Sequence, residues 1–274
     1  NLKKSRLCKK YVYFFHALGS THKIYKKEAF KHYDLVFCNG HYQYQELRAA
    51  EKTFNFKPKE IIRTGYFYLD YISSLANFQK VKKNSVLFAP SWNYNKKNLF
   101  YDYSHVIIDN LIKFNFNVIL RPHPEQYKRS KSTIKSILKK YGANLKFTLD
   151  KSYSNLSSLE KSELLITDNS TIALEFTLAF NRPVLYINYI DKIHNPKHSK
   201  INLVTLESLF KEKFGHVIEI NDIINIGNRC KSIIKNKNFT NEDIFEFKKK
   251  YLSNIGLSAH VAANYLIKLS KEIS

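Results

Sequence analysis

The chain has 274 residues, 44% of them hydrophobic and 15% aromatic, which is enough to build one large core or two smaller ones. This composition excludes a disordered tail, and no apolar run reaches the ~20 residues needed to cross a bilayer. Lysine and arginine number 45 against 23 acidic residues, a formal net charge of +22. Such an excess points to nucleic acid, an anionic membrane surface or a polyanionic product as a partner, unless it is only a lysine-rich solvated surface.

Cysteine usage indicates a reducing compartment. Cys8, Cys38 and Cys230 are widely separated and include no Cys-x-x-Cys pair, so we expect reduced thiols rather than a disulfide framework or a zinc site. No signal peptide is visible, and together these features predict a cytoplasmic protein. The chain begins at Asn1 and contains no methionine, from which we expect a piece of a longer protein, truncated at its N-terminus.

The first 80 residues alternate between short apolar runs and amphipathic segments. The predicted strands are 11–15, 35–38 and 61–64, and the predicted helices are 24–32, 41–52 and 69–75. Three strands are too few for a complete Rossmann-like domain, so residues 1–80 are predicted to form a partial N-terminal domain. The charged stretch from Lys80 to Asn84 has little apolar content and is predicted to be a linker.

A fresh series of strands and helices predicts a second Rossmann-like domain over residues 81–235. Its strands begin at Ser85 and continue at 117–121, 145–149, 163–167 and 183–187, and its helices are 103–115, 131–141, 157–161, 171–180, 205–212 and 228–235. This alternation predicts an α/β fold with a parallel sheet and right-handed crossovers. Two further helices, 241–252 and 258–272, are predicted to pack back across the domains from the segment 236–274.

Polar side chains are concentrated where the predicted strand 163–167 ends. Asp168, Ser170 and Thr171 lie in the loop between this strand and a mostly apolar helix. Ser170 or Thr171 can cap that helix, and its N-terminus offers unpaired N–H groups and a positive dipole end to an anion. On its own the pattern leaves helix capping and phosphate binding as equal alternatives.

Two further strand ends carry residues suited to phosphate chemistry. Strand 117–121 runs into Arg121 and His123, between prolines that stop the strand. Arginine offers a planar fork to phosphate oxygens, and histidine can transfer or donate a proton near neutral pH. The first strand of the series ends in Ser91 and Trp92. Three such ends in one parallel sheet favour a ligand site at their shared edge.

These motifs, in this order, resemble those of the CDP-glycerol glycerophosphotransferase family, the teichoic-acid and capsule polymerases. The resemblance covers roughly residues 11–220 and rests on Ala89-Pro90-Ser91-Trp92, Arg121-Pro122-His123-Pro124 and Thr167-Asp168-Asn169-Ser170-Thr171 with Pro183. His16 takes the place of the family's first active-site histidine, with Ala17 where the family usually has glycine. The resemblance implies a GT-B-like α/β fold with two Rossmann-like domains and parallel sheets, the N-terminal one incomplete in this chain. It also implies that the domain 1–80 receives the acceptor and that the domain 81–235 binds the nucleotide donor.

The resemblance and the strand-end chemistry together imply a transferase that moves a phosphoalditol, such as glycerol phosphate, from a CDP-linked donor to an acceptor hydroxyl and releases CMP. His16 is the implied general base, and His123 is implied to hold the diphosphate and stabilise charge as CMP leaves. The donor- and phosphate-binding candidates are Arg121, Ser91, Asp168, Ser170, Thr171 and Glu175.

Two acidic residues near the proposed phosphate site have more than one interpretation. Asp168 is expected to orient its loop or bind a hydroxyl rather than act as a base. Glu175 can reach a ribose hydroxyl, as acidic residues do in other nucleotide-binding folds. The alternative is an exposed first-turn acid that is favoured by the helix dipole and needs no ligand.

No metal site and no cofactor are predicted. His194 and His198 are four residues apart, but Pro196 argues against the helix that would bring them together on a metal. We expect a mobile loop on the acceptor or donor side instead. A divalent cation can assist the donor diphosphate, although no carboxylate pair is dedicated to it.

The predicted partners are the nucleotide-activated donor, an anionic polymer or lipid-linked acceptor, and an anionic membrane surface contacted peripherally on the inner face of the bacterial plasma membrane. Nucleic acid is not expected, because no recognised reader motif accompanies the charge. Two alternatives remain: a capsule or lipopolysaccharide glycosyltransferase that uses a nucleotide sugar, and a non-catalytic polyanion-binding protein. Fold alone does not separate the first of these from the phosphoalditol transferase.

Overall fold

A computed structural model of the chain describes residues 5, 7–93, 97–191 and 193–273. They form nine strands within the described ranges: β1 Val12–Phe14, β2 Leu35–Cys38, β3 Glu60–Arg63, β4 Ser85–Phe88, β5 Asn117–Leu120, β6 Phe147–Leu149, β7 Leu164–Thr167, β8 Val184–Asn188 and β9 Gly215–Glu219. The α-helices are α1 Thr21–Ile24, α2 His41–Phe54, α3 Phe67–Leu75, α4 Leu99–Lys113, α5 Pro124–Arg129, α6 Lys131–Tyr141, α7 Leu156–Lys161, α8 Ile172–Phe180, α9 Leu206–Phe214, α10 Ile226–Lys235, α11 Asn241–Tyr251 and α12 Ser258–Ile273. No helix among the described residues is both long and apolar enough to cross a membrane.

The chain divides into two compact units. The first comprises residues 1–74, 192–209 and 241–274, and the second comprises residues 75–191 and 210–240. The C-terminal helices α11 and α12 therefore belong to the first unit, together with the short segment 192–209. The second unit begins a few residues before the charged stretch that follows Lys80.

The first unit is built on a three-stranded parallel sheet in the order β1-β2-β3. Its central strand β2 is fully buried, as expected of a strand covered on both faces. The turns after β2 and β3 contain glycines because the C-terminal segment approaches them closely. A Cβ on Gly40 would lie 2.0 Å from the Tyr251 carbonyl oxygen. A Cβ on Gly65, whose φ is +95°, would lie 2.3 Å from the Ser253 carbonyl oxygen.

The second unit contains a six-stranded parallel sheet in the order β6-β5-β4-β7-β8-β9. The chain adds strands outward from β4 to β6 and then returns to the other side of β4 with β7. This is the Rossmann order, and the point where the direction reverses is where such sheets bind ligands. Strands β4 and β7 are buried along their whole length, and the core beneath them is closed by aliphatic and aromatic residues of α4 and α10.

The predicted α/β class and parallel sheets are confirmed, and one local prediction is wrong. The predicted helix 24–32 is absent, since α1 ends at Ile24 and a run of turns follows. Tyr25 and Phe30 both pack against Tyr13, with ring centroids 6.2 and 5.0 Å away. Residues five apart point to different sides of a helix, so a helix there could not bury both rings in one cluster.

Strand β9 was not predicted, because only the short apolar pair Val217-Ile218 marks it. It pairs along its length with β8, from Val184 opposite Gly215 to Asn188 opposite Glu219.

The three cysteines are free thiols, two of them buried. Burial raises the pKa of the Cys38 thiol to about 12, so it stays neutral and unreactive at physiological pH.

Candidate active site

The loops that follow β4 and β7 meet at the switch point of the second sheet and are joined by hydrogen bonds. Ser91 donates its backbone N–H to Oδ1 of Asp168 at 2.7 Å and its hydroxyl to Oδ2 at 2.8 Å. Thr167 donates its hydroxyl to the Ala89 carbonyl at 2.7 Å. Ser91 and Asp168 are 3% and 6% exposed, so these charge-assisted bonds lie away from solvent and are among the stronger kind. Asp168 therefore orients the loop, one of the two roles predicted for it.

His123 caps the short helix α5 and is tied to the same switch point through Gln126. Its Nδ1 accepts from the Glu125 backbone N–H at 3.2 Å, so the neutral ring carries its proton on Nε2. The His123 backbone N–H donates to Oε1 of the buried Gln126 at 2.7 Å, and Nε2 of Gln126 donates to the Ser91 carbonyl at 3.3 Å. One glutamine thus links the loop after β4 with the loop after β5.

The ring of His123 is exposed and stacks on Trp92. The ring centroids are 6.0 Å apart and the planes differ by 21°, while the Arg129 guanidinium lies 5.8 Å from the Trp92 ring centroid. Stacking and the Nδ1 bond fix the ring plane, so Nε2–H has a defined direction. An N–H donor whose direction is fixed by neighbouring contacts is suited to stabilise an oxygen that gains negative charge.

Arg121 is engaged within its own unit. Its guanidinium donates to Asp150 at 2.5 Å, to the Ser152 carbonyl at 3.0 Å and to the Tyr153 carbonyl at 3.2 Å. Burial alone would raise the pKa of the Asp150 carboxyl, but hydrogen bonds from Ser152 and Ser158 and the Arg121 charge outweigh it and hold this pKa below its ordinary value. Arg121 braces the loop after β6, and phosphate binding by the same side chain stays a prediction.

Ser170 and Thr171 lie at the start of α8, half-buried. Thr171 is the N-cap residue, and its side chain makes no capping hydrogen bond. At the start of α8 the Ala173 and Leu174 N–H groups donate to the Ser170 and Thr171 carbonyls at 3.3 and 3.0 Å, so the helix end attracts an anion mainly through its positive dipole. Among the candidates these two hydroxyls and that helix end form the most direct anion-binding element.

Glu175 is 6% exposed, so the interpretation as an exposed first-turn acid is wrong. Helix α8 packs this face inward, because its mostly apolar residues are buried on nearly all sides. Oε2 accepts from Nδ2 of Asn155 at 3.3 Å. Whether the carboxylate also meets a ribose hydroxyl stays a prediction.

His16 is exposed in the first unit, on the turn that follows β1. Four successive backbone carbonyls of this turn each accept a hydrogen bond from a side chain elsewhere in the unit. The pairs are Tyr66 to His16 at 3.1 Å, Asn39 to Ala17 at 2.8 Å, Tyr42 to Leu18 at 2.5 Å and Gln43 to Gly19 at 3.0 Å. This clamp, defined by Asn39, Tyr42, Gln43 and Tyr66, holds the backbone of His16 while its ring faces solvent. Sequence reasoning missed it, because nothing local marks those four residues.

The turn is also held from its amide side by two carboxylates. The Ser20 N–H donates to both oxygens of Glu207 at 3.0 and 3.2 Å, and the Thr21 N–H and hydroxyl donate to Glu46 at 2.5 and 2.9 Å. Nδ1 of the buried His22 lies 3.3 Å from Glu46. Burial raises the pKa of the Glu207 carboxyl, and the nearby Glu46 charge adds to the rise.

The segment with His194 and His198 is fixed to the first unit rather than arranged around a metal. The backbone N–H groups of His194 and Asn195 both donate to the Lys23 carbonyl at 3.1 Å, and the Asn195 side chain donates to the His22 carbonyl at 2.8 Å. Residues 198–200 form a single 3₁₀ turn. No group of three His, Cys, Asp or Glu side chains in the described part of the chain is arranged to hold a metal ion.

A Rossmann-ordered sheet with hydroxyls, a helix N-terminus and an oriented histidine at its switch point is the arrangement of a ligand-binding α/β fold of the GT-B-like class. The sequence matches the family CDP-Glycerol:Poly(glycerophosphate) glycerophosphotransferase over residues 16–254. The chain therefore belongs to this family and is a transferase of that type, as the ordered motifs predicted. None of the curated proteins compared with it matches in sequence.

Solved structures with the same fold include the wall teichoic acid polymerase TagF, which is 17% identical. The match has a TM-score of 0.58 and covers 96% of this chain and 69% of that chain. A histidine-to-alanine variant of TagF gives 0.60 at 15% identity over 100% and 71%. UDP-GlcNAc 2-epimerase of Methanocaldococcus jannaschii, in complex with UDP-GlcNAc and UDP, gives 0.54 at 13% identity over 86% and 62%. These similarities confirm the GT-B-like fold.

Proposed function

We propose that the chain transfers a phosphoalditol, with glycerol phosphate as the first candidate, from a CDP-linked donor to a hydroxyl of a cell-surface polymer or its lipid-linked precursor. The observation that carries the proposal is the switch-point network Asp168–Ser91–Gln126–His123 beside the start of α8. It orients the Nε2–H donor of His123 at the edge where such sheets bind nucleotides, and the hydroxyls of Ser170 and Thr171 follow Asp168 in the same loop. Membership of the family supports a glycerophosphate donor, and a variant of TagF has been soaked with CDPG.

In the proposed reaction the acceptor oxygen attacks the distal phosphorus of the donor. The new oxygen–phosphorus bond forms as the bridging oxygen–phosphorus bond to CMP breaks, and the acceptor proton passes to His16. The negative charge that develops on CMP is stabilised by Nε2–H of His123 and by the positive dipole end of α8. Ser170 and Thr171 bind the same phosphates, and Arg121 keeps the neighbouring loop in place.

The partners follow from this chemistry. The acceptor is an anionic polymer or lipid-linked oligomer, and the +22 charge of the chain favours an enzyme that works peripherally at an anionic membrane surface, on the inner face. The reaction needs no cofactor. A divalent cation that neutralises part of the diphosphate charge would assist it without a dedicated protein site.

A panel of ligands tests the donor class by thermal shift. The panel contains CDP-glycerol, CDP-ribitol, CDP, CMP, a CMP-sugar and UDP-sugars. A ligand present at 100 times its Kd stabilises the folded state by about 2.7 kcal/mol, and we expect this for the CDP-alditols. Stabilisation by UDP-sugars alone would instead support the nucleotide-sugar glycosyltransferase, and stabilisation by polyanions alone would support a non-catalytic binding protein.

A further inference from the structure

The first unit contains a cavity that the transfer reaction does not use. It has a volume of about 200 Å³ and an apolar interior. Val36, Leu47 and Ile61 form its floor and are nearly or fully buried, and the half-buried Phe30 and Phe56 form its walls. At ~30 Å³ for a water-sized group, this volume accepts part of one hydrocarbon chain. It is below the ~300 Å³ at which pockets for whole small molecules begin.

The mouth of this cavity is positively charged. Lys27, Lys31, Lys57 and Lys59 line it, with Glu51 as the single acidic residue of the lining. Glu51 is already neutralised, because Oε2 pairs with Arg48 at 2.6 Å and Oε1 accepts the Lys59 backbone N–H at 2.8 Å. Lys59 donates its ammonium to the Tyr33 carbonyl at 2.8 Å, and Lys27 lies 3.8 Å from Glu28. The exposed Lys31 and Lys57 are therefore the cationic side chains that the rim presents to a ligand beside the apolar opening.

The cavity lies at the edge of the sheet opposite His16. Phe30 and Lys31 precede β2, and the segment 56–59 precedes β3, whereas His16 follows the carboxyl end of β1. A four-residue strand is ~13 Å long, so a ligand in the cavity leaves the turn of His16 untouched. The cavity is therefore separate from the proposed base.

We propose that this cavity binds an anionic phospholipid, with one acyl chain inside and the phosphate headgroup on the lysines. An apolar interior of this size excludes a free polyphosphate or nucleotide, and the cationic rim selects an anionic head over a neutral one. The lipid gives the chain a specific membrane contact, beyond the diffuse attraction of its net charge. The inference does not rest on the transfer reaction, and its test uses no catalytic readout.

The contributions of the rim lysines and of the apolar cavity to membrane binding are tested by separate variants of the full chain, with vesicle flotation as the assay. Vesicles contain phosphatidylglycerol and phosphatidylcholine at 30:70, and pure phosphatidylcholine serves as the comparison. Each lysine near an anionic surface is worth roughly fivefold in binding, so Lys31→Gln with Lys57→Gln should lower partitioning ~25-fold. The control, Lys249→Gln with Lys271→Gln, removes the same charge from exposed sites on α11 and α12. An equal loss in both would show that binding is only diffuse electrostatics and would overturn the proposal.

Filling the cavity tests whether a chain enters it. Ala50 is half-buried on α2 and lines the cavity, so Ala50→Phe removes space without changing charge. Each buried methylene contributes about fourfold, and the loss of two or three predicts at least ~10-fold weaker binding. Wild-type partitioning in a folded Ala50→Phe protein would overturn the proposal.

A measurement on the unaltered chain makes the test independent of how the variants fold. Phosphatidylglycerol with a diazirine in its acyl chain is photolysed in vesicles with the wild-type protein, and the labelled peptides are mapped. Labels on the peptides that carry Phe30, Ala50 or Phe56 are expected. Labels only on other segments, such as α12, or labelling unchanged by a tenfold excess of unmodified phosphatidylglycerol, would contradict a specific site.

Discussion

Ser91 and Asp168 share two hydrogen bonds, in which the serine donates its backbone N–H at 2.7 Å and its hydroxyl at 2.8 Å to the two carboxylate oxygens. The pair joins the loops after β4 and β7, which flank the switch point of the sheet. Since both residues are buried, the pair fixes the local backbone instead of serving as an exposed acid. The geometry at this edge thus depends on residues that need not touch substrate themselves.

Substitution of Asp168 should separate loss of the pair from loss of charge. Asp168→Ala leaves two buried donors of Ser91 unsatisfied and should lower the free energy of unfolding by about 1.5–3 kcal/mol. Asp168→Asn keeps an acceptor for the Ser91 N–H, and the hydroxyl can turn to accept from the new amide, so the loss should stay below about 1 kcal/mol. Urea unfolding measures both. Equal losses would contradict this account of the pair.

Gln126 should matter for activity although it was not a candidate from the sequence. Gln126→Leu leaves the His123 N–H and the Ser91 carbonyl without this partner, which costs about 1–3 kcal/mol and releases the loop of His123. We expect CMP formation to fall at least ~10-fold, in kcat more than in KM. Glu125→Ala on the same helix is the control, since it removes only the exposed pairs with Lys128 and Arg129 and those are worth at most ~1 kcal/mol. Equal activity of the two variants would refute a positioning role.

His16→Ala tests the proposed base. General-base catalysis is typically worth ~10²–10⁴-fold, and the turn should keep its shape because its clamp holds backbone carbonyls, not the ring. Transfer should therefore fall by that factor with an unchanged melting temperature. His260→Ala, an exposed histidine of the same unit, is the control, and near-normal turnover in His16→Ala would remove His16 from the role.

The raised pKa of Glu207 gives a pH signature to stability. Burial raises the pKa of this carboxyl in the folded chain, so above its unfolded pKa the folded state binds more protons than the unfolded one. Stability then falls as the pH rises from the unfolded to the folded pKa, by about 1.4 kcal/mol for each pH unit between these two values. Glu207→Gln keeps an acceptor for the Ser20 N–H and cannot ionise, so its melting temperature should exceed that of the wild type at pH 8 but not at pH 4. The exposed Glu212→Gln should show no such crossover, and the same pH profile in Glu207→Gln as in the wild type would refute the assignment.

Salt should separate polymer binding from donor binding. Exposed lysines act on an anionic polymer through charges that are screened beyond ~8 Å at physiological ionic strength. Polymer affinity should therefore fall steeply between roughly 50 and 300 mM salt, as expected for charge-driven association. Donor binding near buried hydrogen bonds should change far less. Equal salt dependence, measured by titration with both ligands, would contradict this division.

Most of the fold of the second unit was predictable, because strands β4 to β8 and most of its helices carry their own local patterns. Short apolar runs followed by polar strand ends were enough to place Ser91, His123 and Asp168 at one edge of the sheet. Strand β9 and the turns after Ile24 were missed because their conformation is decided by pairing and packing partners far away in sequence.

The supports of the site were less predictable than its reactive groups. Glu207 holds the Ser20 N–H from 187 positions away, and Tyr66 reaches the His16 carbonyl across 50. Such bonds follow from tertiary contact between polar residues that have no motif around them. Arg121 was placed at the right edge, but no local pattern indicates that Asp150 binds its guanidinium.

The most direct test of the central claim is release of CMP from CDP-glycerol in the presence of a lipid-linked glycerol phosphate oligomer. We predict one CMP for each glycerol phosphate added to the oligomer, a loss of ~10²-fold or more in His123→Gln, and near-normal rates in His105→Gln, whose ring bonds Ser136 and Tyr141 within the same unit. Transfer at the wild-type rate by His123→Gln, or no CMP release from any CDP-alditol by a folded wild-type protein, would contradict the account.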